Sequence, residues 1–191
     1  MASKRSASGR SSQSWSWKDP GRKVKVFAGV LITDRSQKRV LLGKKKRGFG
    51  TDLWQHSFCG KVEHFDEDLA DTARRELQEE SGLVLVQKSD LRPLGLFRYE
   101  FTEAKDLPYN MEVHIFTCDL GCTRGSSVQD TPEIRPEWHH FDQVPYSLMW
   151  PDNRFWLPYF LEHCERASLT SAYFLYESLT SVKEHYLEWQ D

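Results

Sequence analysis

This chain lacks any long apolar run. Nothing in its 191 residues is apolar for long enough to cross a bilayer, and no start-of-chain apolar stretch resembles a secretory signal, so neither a membrane partner nor a secretory route is expected. Cysteine is scarce too. Cys59, Cys118, Cys122 and Cys164 lack the paired spacing of a zinc site, and a reducing compartment is expected: the cytoplasm, with nucleus and mitochondrion as alternatives. An excess of one charge is also missing, since 26 Lys and Arg stand against 28 Asp and Glu for a net charge of −2. No global basic field recruits nucleic acid, and no global acidity favours disorder. Residues 1–23 are poor in apolar side chains and set Lys4, Arg5, Arg10, Lys18, Arg22 and Lys23 against one acid, Asp19. This serine-rich segment is expected to be disordered. A transit peptide is the alternative, weakened by the missing leucines. Residues 24–191 then form one domain, with a hydrophobic content of 39% and an aromatic content of 13% supplying its core.

What is present is concentrated between Gly60 and Leu83, which read GKVEHFDEDLADTARRELQEESGL. At about 100° per residue, a helix starting near Glu67 places Leu69, Ala70, Ala73 and Leu77 on one apolar stripe. Glu76 and Glu80 fall inside that stripe, with Glu79 at its edge. Carboxylates on a buried side repel one another and resist ionising together unless a cation sits between them. Oxygen donors of this kind suit magnesium, with manganese as a substitute, and magnesium shares its sites with substrate phosphates. An ordinary solvated acidic face is the plainer alternative, and the angular placement argues against it.

The run Glu67, Arg75-Glu76-Leu77, Glu79-Glu80 and Gly82-Leu83 resembles the signature box of the Nudix hydrolases. Outside the box, Val40-Leu41-Leu42-Gly43, Lys45 to Gly50, Trp54, Glu133 to Pro136 and Met149 to Asp152 resemble the branch that hydrolyses oxidised purine nucleoside triphosphates of the 8-oxo-dGTP and 2-oxo-dATP type. The similarity extends from about Val24 to about Pro158. It implies a Nudix fold, a mixed sheet in an α/β/α sandwich, with Glu76, Glu79 and Glu80 as metal ligands, one of them as base, and Arg75 as an orienter. It also implies a further metal-site acid at Glu133, a backbone carbonyl ligand at Cys59, and a phosphate contact from Lys45. Purine contacts fall to Phe49, Trp150, Asp152 and Asn153, with Gln55 the nearest equivalent of the family's purine-reading asparagine and His56 the alternative. Core packing is the plainer reading for Phe49 and Trp150, and solvated surface for the Lys44 to Arg47 run.

Three positions depart from the family pattern. The loop between Gly60 and Glu67 has gained one residue, with Asp66 where a glycine usually precedes the glutamate. Cys59 replaces a glycine, and Asn153 replaces an acid. The implied activity is hydrolysis of modified purine triphosphates to monophosphate and pyrophosphate by a monomer. Another nucleoside-diphosphate-linked substrate, or a nucleotide-binding module with weakened turnover, is the alternative.

Along the chain, Lys25 to Thr33 and Arg39 to Gly43 read as a hairpin, Trp54 to Phe58 as one short strand, Leu91 to Phe101 and Met111 to Cys118 as paired strands, and Glu137 to Phe141 as extended. A second helix is expected over Asp152 to Glu165, with Phe155, Trp156, Tyr159 and Phe160 on its buried side.

Overall fold

The computed structural model describes residues 15–102, 107–124 and 127–190. In chain order the strands and helices are β1 (Lys23–Asp34), β2 (Arg39–Lys45), β3 (Trp54–Gln55), β4 (Phe58–Lys61), α1 (Leu69–Ser81), β5 (Val84–Leu85), β6 (Arg92–Phe101), β7 (Tyr109–Asp119), β8 (Thr123–Arg124), β9 (Ile134–His140), α2 (Asn153–Glu162), β10 (Leu169–Ser178) and β11 (Ser181–Trp189). Among the described residues nine strands make one sheet in the order β11-β10-β6-β7-β1-β2-β3, with β4 added beside β1 and β9 beside β2, while β5 and β8 form a separate pair. The β1–β7 and β6–β10 pairs are parallel and the others antiparallel, so the sheet is mixed.

Alternation along β1 divides the core. Ala28, Val30 and Ile32 pack with Ala73 and Leu77 of α1 on one face, whereas Leu31 joins Trp156, Leu157, Phe160 and Leu161 of α2 on the other. The result is the expected sandwich of helix, sheet and helix. α1 begins two residues later than Glu67: Asp68 is its N-cap, accepting the amides of Ala70 and Asp71 at 2.9 and 3.0 Å, a cap of about 1 kcal/mol. Gly82 closes it at φ 74, a conformation that costs glycine little.

Four expectations need correction. Trp54 to Phe58 is not one strand, because Trp54 and Gln55 pair with β2 while Phe58 pairs with β1, and His56-Ser57 makes the step between them. On α2, Trp156 and Phe160 are buried, but Phe155 and Tyr159 are 37% and 46% exposed; Leu157 and Leu161 take the inner positions, since the buried stripe lies one residue further on. The hairpin β10–β11 was not anticipated, although β10 fills the sheet beside β6. Residues 15–22, expected within a disordered segment, are packed: Trp15 and Trp17 lie against Tyr173, and Arg22 donates to the carbonyls of Phe101 and Leu107. Residues 1–14 of that segment lie outside the described residues.

Candidate active site

The acids of α1 are disposed as their spacing implies. The side chains of Glu76 and Glu80 are 12% and 6% exposed, and that of Glu79 is 59% exposed. Burial raises both inner carboxyls, Glu80 to about 7 with the Lys45 ammonium opposing, and Glu76 with Arg75 opposing. Strand β4 runs directly over them. The Cys59 amide donates to Glu80 Oε2 at 2.9 Å, and a Cβ on Gly60 would overlap the Glu76 carboxylate, so only glycine leaves that space open.

Arg75, the expected orienter, divides its fork between Asp66 and the glutamates of its own helix. Nε and one terminal nitrogen donate to Asp66 at 3.2 and 3.0 Å, while the other terminal nitrogen reaches Glu76 at 2.6 Å and Glu79 at 3.4 Å. Asp66 also accepts the Glu63 amide and the Thr72 hydroxyl, at 2.9 and 2.8 Å. The guanidinium holds its carboxyl far below the usual range. Glu67, the matching residue of the box, is exposed. Asp66, one residue earlier in the turn, is the loop acid that faces the helix.

Lys45 Nζ lies between two acids, 3.5 Å from Glu80 and 3.8 Å from Glu133, and Arg47 also pairs with Glu133. Glu133 therefore sits at the rim of the acidic cluster, joined to it through Lys45. Of the neighbouring cations, Lys46 turns away to Asp130. Among the described residues no three acidic, histidine or cysteine side chains already converge on one point, because like charges separate and each carboxylate turns to the nearest protein cation. The donor set nevertheless fits a hard divalent ion: buried carboxylate oxygens with raised proton affinity, beside a glycine backbone that leaves room.

Beside the acids, on the α2 side of the sheet, opens a cavity of about 210 Å³. Lys45 and Cys59 belong to both, since they line the cavity and bond to Glu80. Of the expected purine contacts, Phe49, Gln55, His56, Trp150 and Asp152 all line it. Phe49 and Trp150 face each other with ring centroids 4.9 Å apart and a tilt of 32°. Gly50, at φ +80, makes that contact possible, because a Cβ there would stand 2.7 Å from Trp150 Cζ2. Asp152 is buried and accepts from the Tyr176 hydroxyl, from Trp156 Nε1 at 3.2 Å and from the Tyr99 hydroxyl at 3.4 Å. Burial moves its carboxyl up to about 6 against those donors.

Asn153 does not line the cavity. Its amide donates inward to the Trp150 carbonyl at 2.9 Å, because it opens the first turn of α2 and points back along the chain. His56 is buried at 8% exposure, with neither ring nitrogen in a hydrogen bond among the described residues. Desolvation lowers it to about 4, so the ring is neutral. Sequence reasoning missed the far wall: Phe27, Tyr99, Phe101, Met111 and Tyr176. Alternation of Tyr99 and Phe101 along β6 signals one shared face, whereas nothing in sequence connects Tyr176 to Asp152.

A profile of the NUDIX domain matches residues 23–160. A mouse protein named oxidized purine nucleoside triphosphate hydrolase is 42% identical over 137 residues, covering 70% of this chain and 78% of its own. A zebrafish protein of the same name is 38% identical over 164 residues, covering 86% and 94%. Among solved structures, a MutT protein from Bacillus halodurans superposes with a TM-score of 0.66 at 21% identity, covering 85% of this chain and 97% of its own. The NUDIX domain of Shewanella oneidensis NrtR, solved with ADP ribose, gives 0.56 at 17% identity over 78% and 94%. Strand order, inward acids, the arginine fork and a matching profile over most of the chain agree: this protein belongs to the Nudix family.

Proposed function

We propose that this protein hydrolyses oxidised or otherwise modified purine nucleoside triphosphates to the monophosphate and pyrophosphate, removing mutagenic precursors from the nucleotide pool. The observation that carries this reading is the placement of an aromatic cavity, closed by the buried Asp152, against the acids of α1, with Lys45 and Cys59 shared between them. The names of the mouse and zebrafish relatives support the same substrate class. Nudix hydrolases use divalent metal ions, and for this chain we assign magnesium, with manganese as a substitute, to Glu76 and Glu80. Glu79 and Glu133 stand at the rim to complete the set, and the Cys59 backbone lies alongside. The bound ion would neutralise phosphate charge and acidify a water.

The protein's own groups do the rest. Lys45 presents a point charge to the phosphates. Asp66 holds the Arg75 fork, and Arg75 in turn fixes Glu76. Water adds to a phosphorus while the bond to the pyrophosphate oxygen breaks, and one of Glu76, Glu79 and Glu80 accepts the water's proton. Trp150 and Phe49 stack on the base, an interaction of about 1–3 kcal/mol per base. Neutral His56 offers one donor and one acceptor to the purine edge, and Asp152 reads the edge from the other side. Gln55 lines the same cavity and stays an alternative contact. We assign the chain as a monomer acting on a free nucleotide in the cytoplasm, with nucleus and mitochondrion as alternatives; separately, among the described residues no helix is long and apolar enough to cross a membrane.

The test is pyrophosphate release from a panel of oxidised and normal purine triphosphates, with and without magnesium, for the native chain and Glu80→Gln. Expected is metal-dependent release favouring oxidised bases, lowered a hundredfold or more in the variant, in keeping with loss of a metal-assisted centre. Equal turnover of the two proteins removes Glu80 from the mechanism.

A further inference from the structure

We propose that residues 15–22 are a positioning strap for the purine cavity, holding Glu100 on the outer face of β6 so that its neighbours Tyr99 and Phe101 stay fixed in the cavity wall. This rests on the substrate class proposed above. The strap lies outside the matched Nudix region, which begins at residue 23.

Strand alternation supplies the mechanical link. Tyr99 and Phe101 line the cavity, so Glu100 between them points to the opposite face, where it is 1% exposed. A carboxylate that buried requires donors, and it has three: the amides of Lys18 and Asp19 and the Tyr173 hydroxyl, each at 2.8 Å. Two come from the strap. Arg22 grips the same strand one residue further on, donating to the Phe101 carbonyl, and also reaches the Leu107 carbonyl ahead of β7. The strap is itself anchored at its other end. Trp15 stacks on Tyr173 at 5.6 Å with the Arg98 guanidinium 4.1 Å from its ring centroid, and Lys18 pairs with Glu184 at 2.9 Å. Arg98 continues to Glu112 and Ser171, both at 2.9 Å, so β6, β7, β10 and β11 are all held. None of these groups bonds to Glu76, Glu80 or Lys45. Loosening the strap should therefore disturb the base cavity and spare the acidic end.

The experiment uses the full chain with Arg22→Ala, the pair Trp15→Ala with Trp17→Ala, and Glu100→Ala, with Glu100→Gln and Arg22→Lys as conservative partners. Hydrogen exchange is read first, because it needs no substrate. Amides of β6 and its neighbours in β7 should exchange tenfold faster or more in Arg22→Ala, with those of α1 unchanged. For turnover, KM for the preferred triphosphate should rise about tenfold with kcat within twofold. Calorimetry without metal should show the monophosphate product weakened by a similar factor, and Glu100→Gln and Arg22→Lys should recover most of the affinity. Unchanged exchange in β6, or KM and product affinity within twofold of native in folded variants, overturns the strap. A fall in kcat at constant KM overturns it equally. If Glu100→Ala fails to fold, the Arg22 and tryptophan variants decide the matter on the same readings. A native chain that turns over none of the triphosphates sinks the functional reading instead, and exchange then judges the strap alone.

Discussion

Asp152 sits among Tyr99, Trp156 and Tyr176 with water excluded, and its carboxyl rises from 3.8 to about 6 because desolvation outweighs three donors. The folded state therefore holds this proton more tightly than the unfolded chain does. Stability from this group is fully present below about pH 3.8 and is lost as pH rises to about 6, on the order of 3 kcal/mol in all. Asp152→Asn cannot ionise. Urea midpoints for the two proteins should therefore shift in favour of the variant between pH 4 and 6, and a difference independent of pH would show that Asp152 is not desolvated as described. The Arg75 partner gives a second residue-scale test. Asp66→Ala should lower turnover about tenfold to a hundredfold, as lost supporting contacts do at metal sites, whereas Glu67→Ala should stay within twofold of native. The reverse ranking would return the role to Glu67. Sequence singled out Arg75 but could not say which acid of the loop would hold it, because register along a helix is set by its period, while the path of the loop decides which side chain faces it.

At the scale of elements, the loop between β2 and β3 positions the aromatic mouth of the cavity. Gly48 and Gly50 both take positive φ, and Asp52 does so at φ 69, so the segment turns tightly back on β2. Gly50→Ala meets two penalties, a left-handed conformation and a 2.7 Å approach to Trp150 Cζ2. It should cost about 1–3 kcal/mol of stability and raise KM more than it lowers kcat. Thermal denaturation with steady-state kinetics checks this, and an unchanged KM would mean that Trp150 is not part of the base site. Helix α1 shows why its acids were legible and its loop was not. Glu76, Glu79 and Glu80 lie within one period of a helix whose apolar stripe is written in Leu69, Ala73 and Leu77. Lys45 and Cys59 reach Glu80 from β2 and β4, and Glu133 joins them through Lys45 from the approach to β9, which only strand pairing brings together.

At the scale of the molecule, β10 is interior to the sheet, between β6 and β11, and Ala172, Phe174, Leu175 and Tyr176 are almost wholly buried. A chain ending after Arg166 would expose the β6 edge and the α2 core together and leave Asp152 without its Tyr176 donor. It should be insoluble or lack a cooperative thermal transition. A soluble, active product of that length would show the hairpin to be dispensable.

Sequence by itself determined the chemistry of one helix: inward acids at a four-residue spacing, an arginine beside them, a glycine stop, and through them the family. Those features are local, and a helical period is enough to read them. Tertiary structure decided the rest. It set Asp66 against the Arg75 fork, turned Asn153 away from the cavity, ordered residues 15–22 against Tyr173 and Glu100, and brought Tyr176 to Asp152 from a distant strand. Each of these depends on which strands pair and in what register, and that is fixed by burying both faces of one sheet at once.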